Sequence, residues 1–198
     1  MEASAYITAR DLTDAELVVR TVAGSHDGFE ELVRRYQRPI ISYVYRMLGD
    51  HDASLDVSQE VFIKVYNSIE RYSSEYKFST WLYRIAHNAA IDHLRRNSVH
   101  THSLEIEGQD GAYEIQIECG ARNPEQEQER NERISEIEEV ISGLPPAYRE
   151  LLLLRHAREL SYEEMVEVTG LPLGTVKNRL FRAREMMREV LLKRGIIR

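Results

Sequence analysis

A single cysteine, Cys119, is the only thiol in the sequence. An internal disulfide is therefore excluded, and so is a zinc site assembled from this chain's own thiolates. Long apolar runs are also missing. No stretch approaches the ~20 consecutive apolar residues that a membrane helix needs. The opening MEASAYITARDLTD has neither the basic start nor the apolar core of a secretory leader. A cytoplasmic protein with no membrane contact of its own is expected. The chain has no glycine-rich phosphate loop, no nucleophile motif and no His or carboxylate cluster at metal spacing. Its seven histidines are scattered, and His100, His102 and Cys119 match no ligand geometry. No catalytic residue, no metal and no cofactor is expected.

Hydrophobic residues make up 42% of the chain and charged residues 30%, which suits a soluble globular protein with one ordinary core or two small ones. The net charge of −7 would ordinarily argue against a nucleic-acid partner, because phosphate binding relies on Lys and Arg displacing counterions. The charge is unevenly spread, however. Residues 1–27 carry −3, residues 28–97 carry +1, residues 98–130 carry −6 and residues 131–198 carry +1. Within residues 173–198, eight Lys or Arg stand against two Glu. An acidic chain thus ends in a basic patch.

Apolar periodicity predicts an all-α protein. Thr13 with Glu16, and Asp27 with Glu30, are helix-start signatures, and Gly49 ends a run through Phe29, Leu32, Tyr36, Ile40, Tyr43 and Met47. A third helix is predicted from Asp52 to Arg71, with Val57, Val61, Val65 and Ile69 on its buried side. A fourth runs from Ser79 or Thr80 to Arg96, with Leu82, Ile85, Ala86 and Ala89 inward. These helices form one small domain over residues 12–97, after a tail of residues 1–11.

Residues 98–130 show no sustained helical period and read as a flexible acidic linker. Its −6 charge is also expected to shield the basic surfaces of the free protein from DNA. A second domain, residues 131–198, opens with an acidic helix from Asn131 to Ser142, closed by Gly143 and Pro145-Pro146. An apolar helix holding Leu151 to Leu154 follows. Ser161 with Glu164 is a capping box, Gly170 is placed to end that helix, and Pro172 suits the first turn of the next. The order is helix, tight turn, helix.

The last helix carries an apolar stripe at Val176, Leu180, Ala183, Met187 and Val190. Its other faces hold Lys177, Asn178, Arg179, Phe181, Arg182, Arg184 and Arg188. The second helix of a helix-turn-helix enters the major groove, where cations read guanine edges or hold phosphates and Asn reads adenine.

The segment LSYEEMVEVTGLPLGTVKNRLFRAR resembles region four of the extracytoplasmic-function sigma factors of the sigma-70 family. HDASLDVSQEVFIKVYNSIERY and KFSTWLYRIAHNAAIDHLRR resemble their region two. The likeness covers roughly residues 12–97 and 131–192, in the family's order. It implies a subunit that docks on core RNA polymerase, at the clamp coiled coil of the largest subunit and at the flap region, and reads promoter DNA. It also implies an anti-sigma factor as inhibitor. The C-terminal domain is expected to read the −35 element through Thr175, Lys177, Asn178, Arg179, Phe181 and Arg182. The N-terminal domain is expected to read and open the −10 element.

The residues of the first domain carry that expectation further. On the third helix, Asp56, Gln59, Glu60, Ile63 and Asn67 lie opposite the valines, so an apolar residue sits among polar ones. Asp56, Gln59, Glu60, Phe62 and Ile63 are the expected polymerase contacts. Leu55 and Ser58 depart from the residues commoner in the family at those two positions. On the fourth helix Arg84, Asn88 and Arg95 share a face beside an entry rich in aromatics. Single-stranded DNA is gripped by such sets, because extruded bases stack on rings. Tyr76, Lys77, Phe78, Trp81, Arg84 and Asn88 are the expected −10 contacts, with Trp81 equally suited to the core. A stand-alone helix-turn-helix regulator, binding duplex DNA without polymerase, is the alternative from another class.

Overall fold

The computed structural model describes residues 8–100 and 134–197, without the side chains of 98–100, 157 and 158. The described residues are helical, with no strand among them. Helix α1, Asp14–Val22, starts at the predicted capping box: Thr13 Oγ1 accepts from the Glu16 amide at 3.4 Å, and Glu16 Oε2 accepts from the Thr13 amide at 2.7 Å. Helix α2 spans His26–Leu48 with Ser25 at the N-cap position, so the start lies just ahead of the predicted Asp27. Asp27 instead pairs with Arg20 of α1 at 3.2 Å. The helix continues through Pro39, which leaves one intrahelical acceptor without its donor. Packing of Leu32, Ile40, Tyr43 and Met47, each 2% exposed or less, holds it in register.

Gly28 is where α1 and α2 touch most closely. A Cβ there would stand 2.8 Å from the Leu17 carbonyl oxygen and from Thr21 Oγ1. Arg35 pins the start of the chain: it pairs with Asp14 at 2.9 Å and donates to the Leu12 carbonyl at 2.7 Å. Residues 9–11, assigned above to a tail, are thereby held in a 3-10 turn. Glu31 anchors both Arg34 and Arg35, and the Arg34 hydrogen bond, foremost among these interactions, brings its pKa down to about 2.

Helix α3, His51–Ser68, is capped by Asp50 and passes into a 3-10 turn, Ile69–Arg71. Val57, Val61, Val65 and Ile69 are buried as their spacing predicts. Helix α4, Phe78–His100, begins before the predicted start and extends beyond Arg96. Its last three residues come from the segment assigned to the linker; the rest of that linker lies outside the described residues, as do residues 131–133.

Residues 134–142 form α5. Helices α6 (Pro146–Arg158), α7 (Tyr162–Thr169) and α8 (Leu173–Lys193) complete the second half. Both halves share one hydrophobic core, in which α7 packs across α4 and α6 across α2. Polar contacts tie the seam. Arg149 of α6 donates to the Met47 carbonyl at 3.0 Å, satisfying a free acceptor at the C-terminus of α2, and to the Leu144 carbonyl at 3.0 Å. Arg46 meets Glu138 at 2.8 Å.

Candidate polymerase and nucleic-acid interfaces

Helix α3 turns its valines to the core and thereby commits its opposite side to solvent. Asp56 and Gln59 are exposed there, and Glu60 is half-buried and paired with Lys64 at 2.7 Å. The Lys64 hydrogen bond, foremost, holds the Glu60 carboxyl below its usual pKa. Ile63 is 56% exposed, with Tyr66 at 47% and Leu55 at 38% on the same side. Phe62 turns partly inward against the core. The face is therefore broader and more apolar than a lone isoleucine. Tyr66, one turn beyond Ile63, was missed, although its i+3 spacing was a signal.

Between the turn at Ile69–Arg71 and α4, the backbone is held by the Tyr72 hydroxyl, which donates to the Tyr76 carbonyl at 2.7 Å. Phe78 is 2% exposed, and its ring lies 5.6 Å from Tyr36, 5.8 Å from Tyr72 and 5.9 Å from Trp81. This corrects the expectation that Phe78 meets DNA: at the first residue of α4 it is the keystone of an aromatic cluster. Trp81 is half-buried, its ring tilted against Tyr72 at 5.6 Å between centroids, and it lines a pocket of about 230 Å³. Tyr76, Thr80, Arg71 and Arg84 share the lining. Lys77, next to Tyr76 in the chain, has a side chain 76% exposed, and Asn88 is exposed two turns along α4 from Trp81.

This pocket also receives α7. Lys77 Nζ is 3.0 Å from Glu164 Oε1. Glu167 lines the pocket beside Tyr76, and its carboxylate is the main reason that this phenol's pKa is raised. Arg71 and Thr80 were missed by the sequence reading, though both flank the aromatic loop. Glu164 and Glu167 carry no local signal, because they arrive from the other half of the chain.

The helix-turn-helix forms as its signals predict. Ser161 Oγ accepts from the Glu164 amide at 3.1 Å, Glu164 Oε2 accepts from the Ser161 amide at 2.8 Å, and Gly170 takes the left-handed conformation, φ 70°, that ends α7. Val176, Leu180 and Ala183 are buried to 1% exposure or less. The buried row then moves to Leu191, with Met187 and Val190 only half-buried. Lys177, Asn178 and Arg182 are left in solvent, with Phe181 64% exposed; Thr175 and Arg179 are half-buried. Lys177 Nζ stands 5.6 Å over the Tyr162 ring, a cation–π contact that orients it at the front of α8.

The comparisons with known proteins meet these two regions. Residues 32–99 match the family model described as Sigma-70 region 2, and residues 134–187 match Sigma-70, region 4. The chain is 37% identical over 170 residues to the ECF RNA polymerase sigma factor SigW of Bacillus subtilis, covering 85% of this chain and 91% of that protein. It is 37% identical to the ECF RNA polymerase sigma-E factor of Haemophilus influenzae, covering 90% and 95%. Among solved structures, the sigma factor RpoE of Bartonella quintana, crystallised with the anti-sigma factor NepR, aligns with a TM-score of 0.67 at 19% identity, over 82% of this chain and 96% of that one. CnrH, in complex with the cytosolic domain of CnrY, aligns with a TM-score of 0.63 at 20% identity, over 90% and 96%. These two share the fold.

Proposed function

This chain belongs to the extracytoplasmic-function sigma factors of the sigma-70 family, and from that premise we propose how its surfaces divide the work of starting transcription. A sigma factor is a transcription initiation factor, not an enzyme; it binds core RNA polymerase and directs it to promoters. The stand-alone regulator gives way to this assignment.

The exposed side of α3, with Asp56, Gln59, Glu60 and Ile63, docks on the clamp coiled coil of the largest polymerase subunit. Phe62 supports that face from beneath, and the second half of the chain engages the flap region. Helix α8 enters the major groove of the −35 element. There Asn178 and Arg182 carry base-reading chemistry, Lys177 suits a phosphate and Phe181 a thymine methyl. The pocket around Tyr76, Trp81 and Arg84 takes bases of the opened −10 strand, with Lys77 and Asn88 along the backbone path. Stacking there offsets part of the cost of opening the duplex, at about 1–3 kcal/mol per base. An anti-sigma factor is the proposed inhibitor, a reading supported by the sigma factor RpoE of like fold, which was crystallised with the anti-sigma factor NepR. The cytoplasm is the proposed location, consistent with the absence, among the described residues, of any helix long and apolar enough to cross a membrane.

One observation carries this division of labour. The chain pairs an aromatic, cationic pocket on α4 with a helix-turn-helix whose second helix leaves Lys177, Asn178 and Arg182 in solvent. The test is transcription in vitro from a randomised promoter library, using purified bacterial core RNA polymerase with and without the protein. Defined start sites that require both components, with two shared upstream elements, are expected. Binding of duplex DNA by the protein alone, with nothing added by core, overturns it.

A further inference from the structure

The pocket on α4 can take a nucleic-acid strand only if its approach is clear, and in this structure α7 lies against it and brings acid to its wall. Helix α7 crosses the start of α4 with two carboxylates, Glu164 and Glu167, one turn apart and facing the same way. Glu164 Oε1 is 3.0 Å from Lys77 Nζ and accepts from Thr80 Oγ1 at 3.5 Å. Glu167 lines the pocket beside Tyr76, Trp81 and Arg84. One anion thus stands against the cation and the hydroxyl that a phosphate backbone would use, and a second lines the pocket beside the stacking surface. The seam that places them is a built interface: Arg149 caps α2, Arg46 meets Glu138 at 2.8 Å, and His87 and Glu150 are buried at its centre.

We propose that α7 is an internal plug, in which Glu164 and Glu167 imitate the phosphates of a single strand and close the −10 pocket until the two halves separate. The plug rests on the reading of that pocket as the −10 site. It also gives one segment of the chain two positions. In the closed form α7 covers the −10 reader, and in the open form it supports α8 on the −35 element. Free protein is then silent on single-stranded DNA, while a holoenzyme that holds the halves apart is not.

The experiment compares three full-length proteins: wild type, E164Q/E167Q and E159Q/E163Q. Glutamine keeps the capping box, since it too can accept from the Ser161 amide. The third protein loses the same charge from residues exposed on and beside α7. The probe is a fluorescein-labelled single strand copied from the −10 region of a promoter the holoenzyme transcribes, read by anisotropy. E164Q/E167Q is expected to bind about tenfold more tightly than wild type, the loss of roughly 1.4 kcal/mol of closure, while E159Q/E163Q stays within about twofold of wild type. Wild type and E159Q/E163Q should support equal run-off transcription with core. Equal binding by the two double variants, or wild-type binding as tight as that of E164Q/E167Q, overturns the plug. If the holoenzyme transcribes and free E164Q/E167Q gains nothing, the plug alone fails. If the proteins neither bind the strand nor transcribe with core, the −10 reading fails and takes the plug with it.

Discussion

The imidazole of His87 on α4 stands 3.6 Å from the carboxylate of Glu150 on α6, with the two side chains only 8% and 6% exposed. Both groups are pushed toward neutrality by burial, His87 down to about 4 and Glu150 up to about 7. The charge of Arg179, from α8, opposes part of the Glu150 shift, and the phenols of Tyr43 and Tyr83 come from α2 and α4. The pair sits where the two halves of the chain meet.

Its pH dependence follows from counting protons. Unfolded, histidine takes a proton near 6.5 and glutamate near 4.5; folded, Glu150 takes one near 7 and His87 near 4. Between about pH 4.5 and 6.5 both states hold one proton on the pair, so its contribution to stability is nearly flat. Single substitutions should expose the opposed halves. In E150Q the remaining His87 favours the fold above 6.5, and that stability should be lost as pH falls toward 4. In H87Q the remaining Glu150 favours the fold below 4.5, and stability should be lost as pH rises through 7. Each slope amounts to about 3 kcal/mol at most. Urea unfolding from pH 4 to 8 checks this, and flat profiles for both variants would mean that the seam does not bury the pair.

Arg149 makes the second prediction. Its guanidinium, half-buried, donates to carbonyls on either side of the seam, at Met47 and Leu144. Arg149→Met keeps the aliphatic stem and removes the donors, leaving those carbonyls unmatched. A loss of about 2–3 kcal/mol in urea unfolding is expected. A loss below about 0.5 kcal/mol would show that the α2 carbonyls find other donors.

How far the sequence reveals this molecule depends on the range of each interaction. The capping boxes at Thr13 and Ser161, the left-handed glycines and the valine row of α3 are local, and the structure reproduces them. The seam is not local. Thr80 and Glu164 are 84 residues apart and Arg46 and Glu138 are 92, and no periodicity links such pairs. Phe78 shows the intermediate case. In Tyr72, Tyr76, Phe78 and Trp81 the aromatics follow no repeat, and ring chemistry alone does not separate a base-stacking surface from a core keystone; only packing against Tyr36 of α2 does.

That distinction is itself testable. Phe78→Ala should destabilise the protein by about 3–5 kcal/mol, as expected when a buried ring leaves a cavity. Tyr76→Ala, at a residue 45% exposed, should change stability by less than about 1 kcal/mol. With core polymerase present it should weaken capture of the −10 strand by about 1–3 kcal/mol. Equal stabilities for the two variants would contradict the buried position of Phe78.

On α3, Ile63→Ser removes an apolar side chain from the exposed face without touching the valines of the core. Core polymerase should bind this variant about tenfold or more weakly, as at a central interface residue, while its unfolding midpoint stays within about 0.5 kcal/mol of wild type. Titration of labelled protein with core measures the first quantity. Unchanged affinity would move the docking surface off this side of α3.

The last prediction separates reading from holding on α8. Arg182 is exposed one turn beyond Asn178, whereas Lys177 is drawn toward the Tyr162 ring at the front of the helix. If Arg182 forks onto a guanine edge, Arg182→Ala should cost about 1–3 kcal/mol, confined to one position of the −35 element. If Lys177 holds a phosphate, Lys177→Ala should weaken every sequence alike and lower the salt slope of binding by about one ion. Holoenzyme binding to a panel of single-base −35 variants, at two salt concentrations, reads both outcomes. A uniform loss for Arg182→Ala would make that arginine a phosphate contact and leave Asn178 as the base-reading side chain on this face.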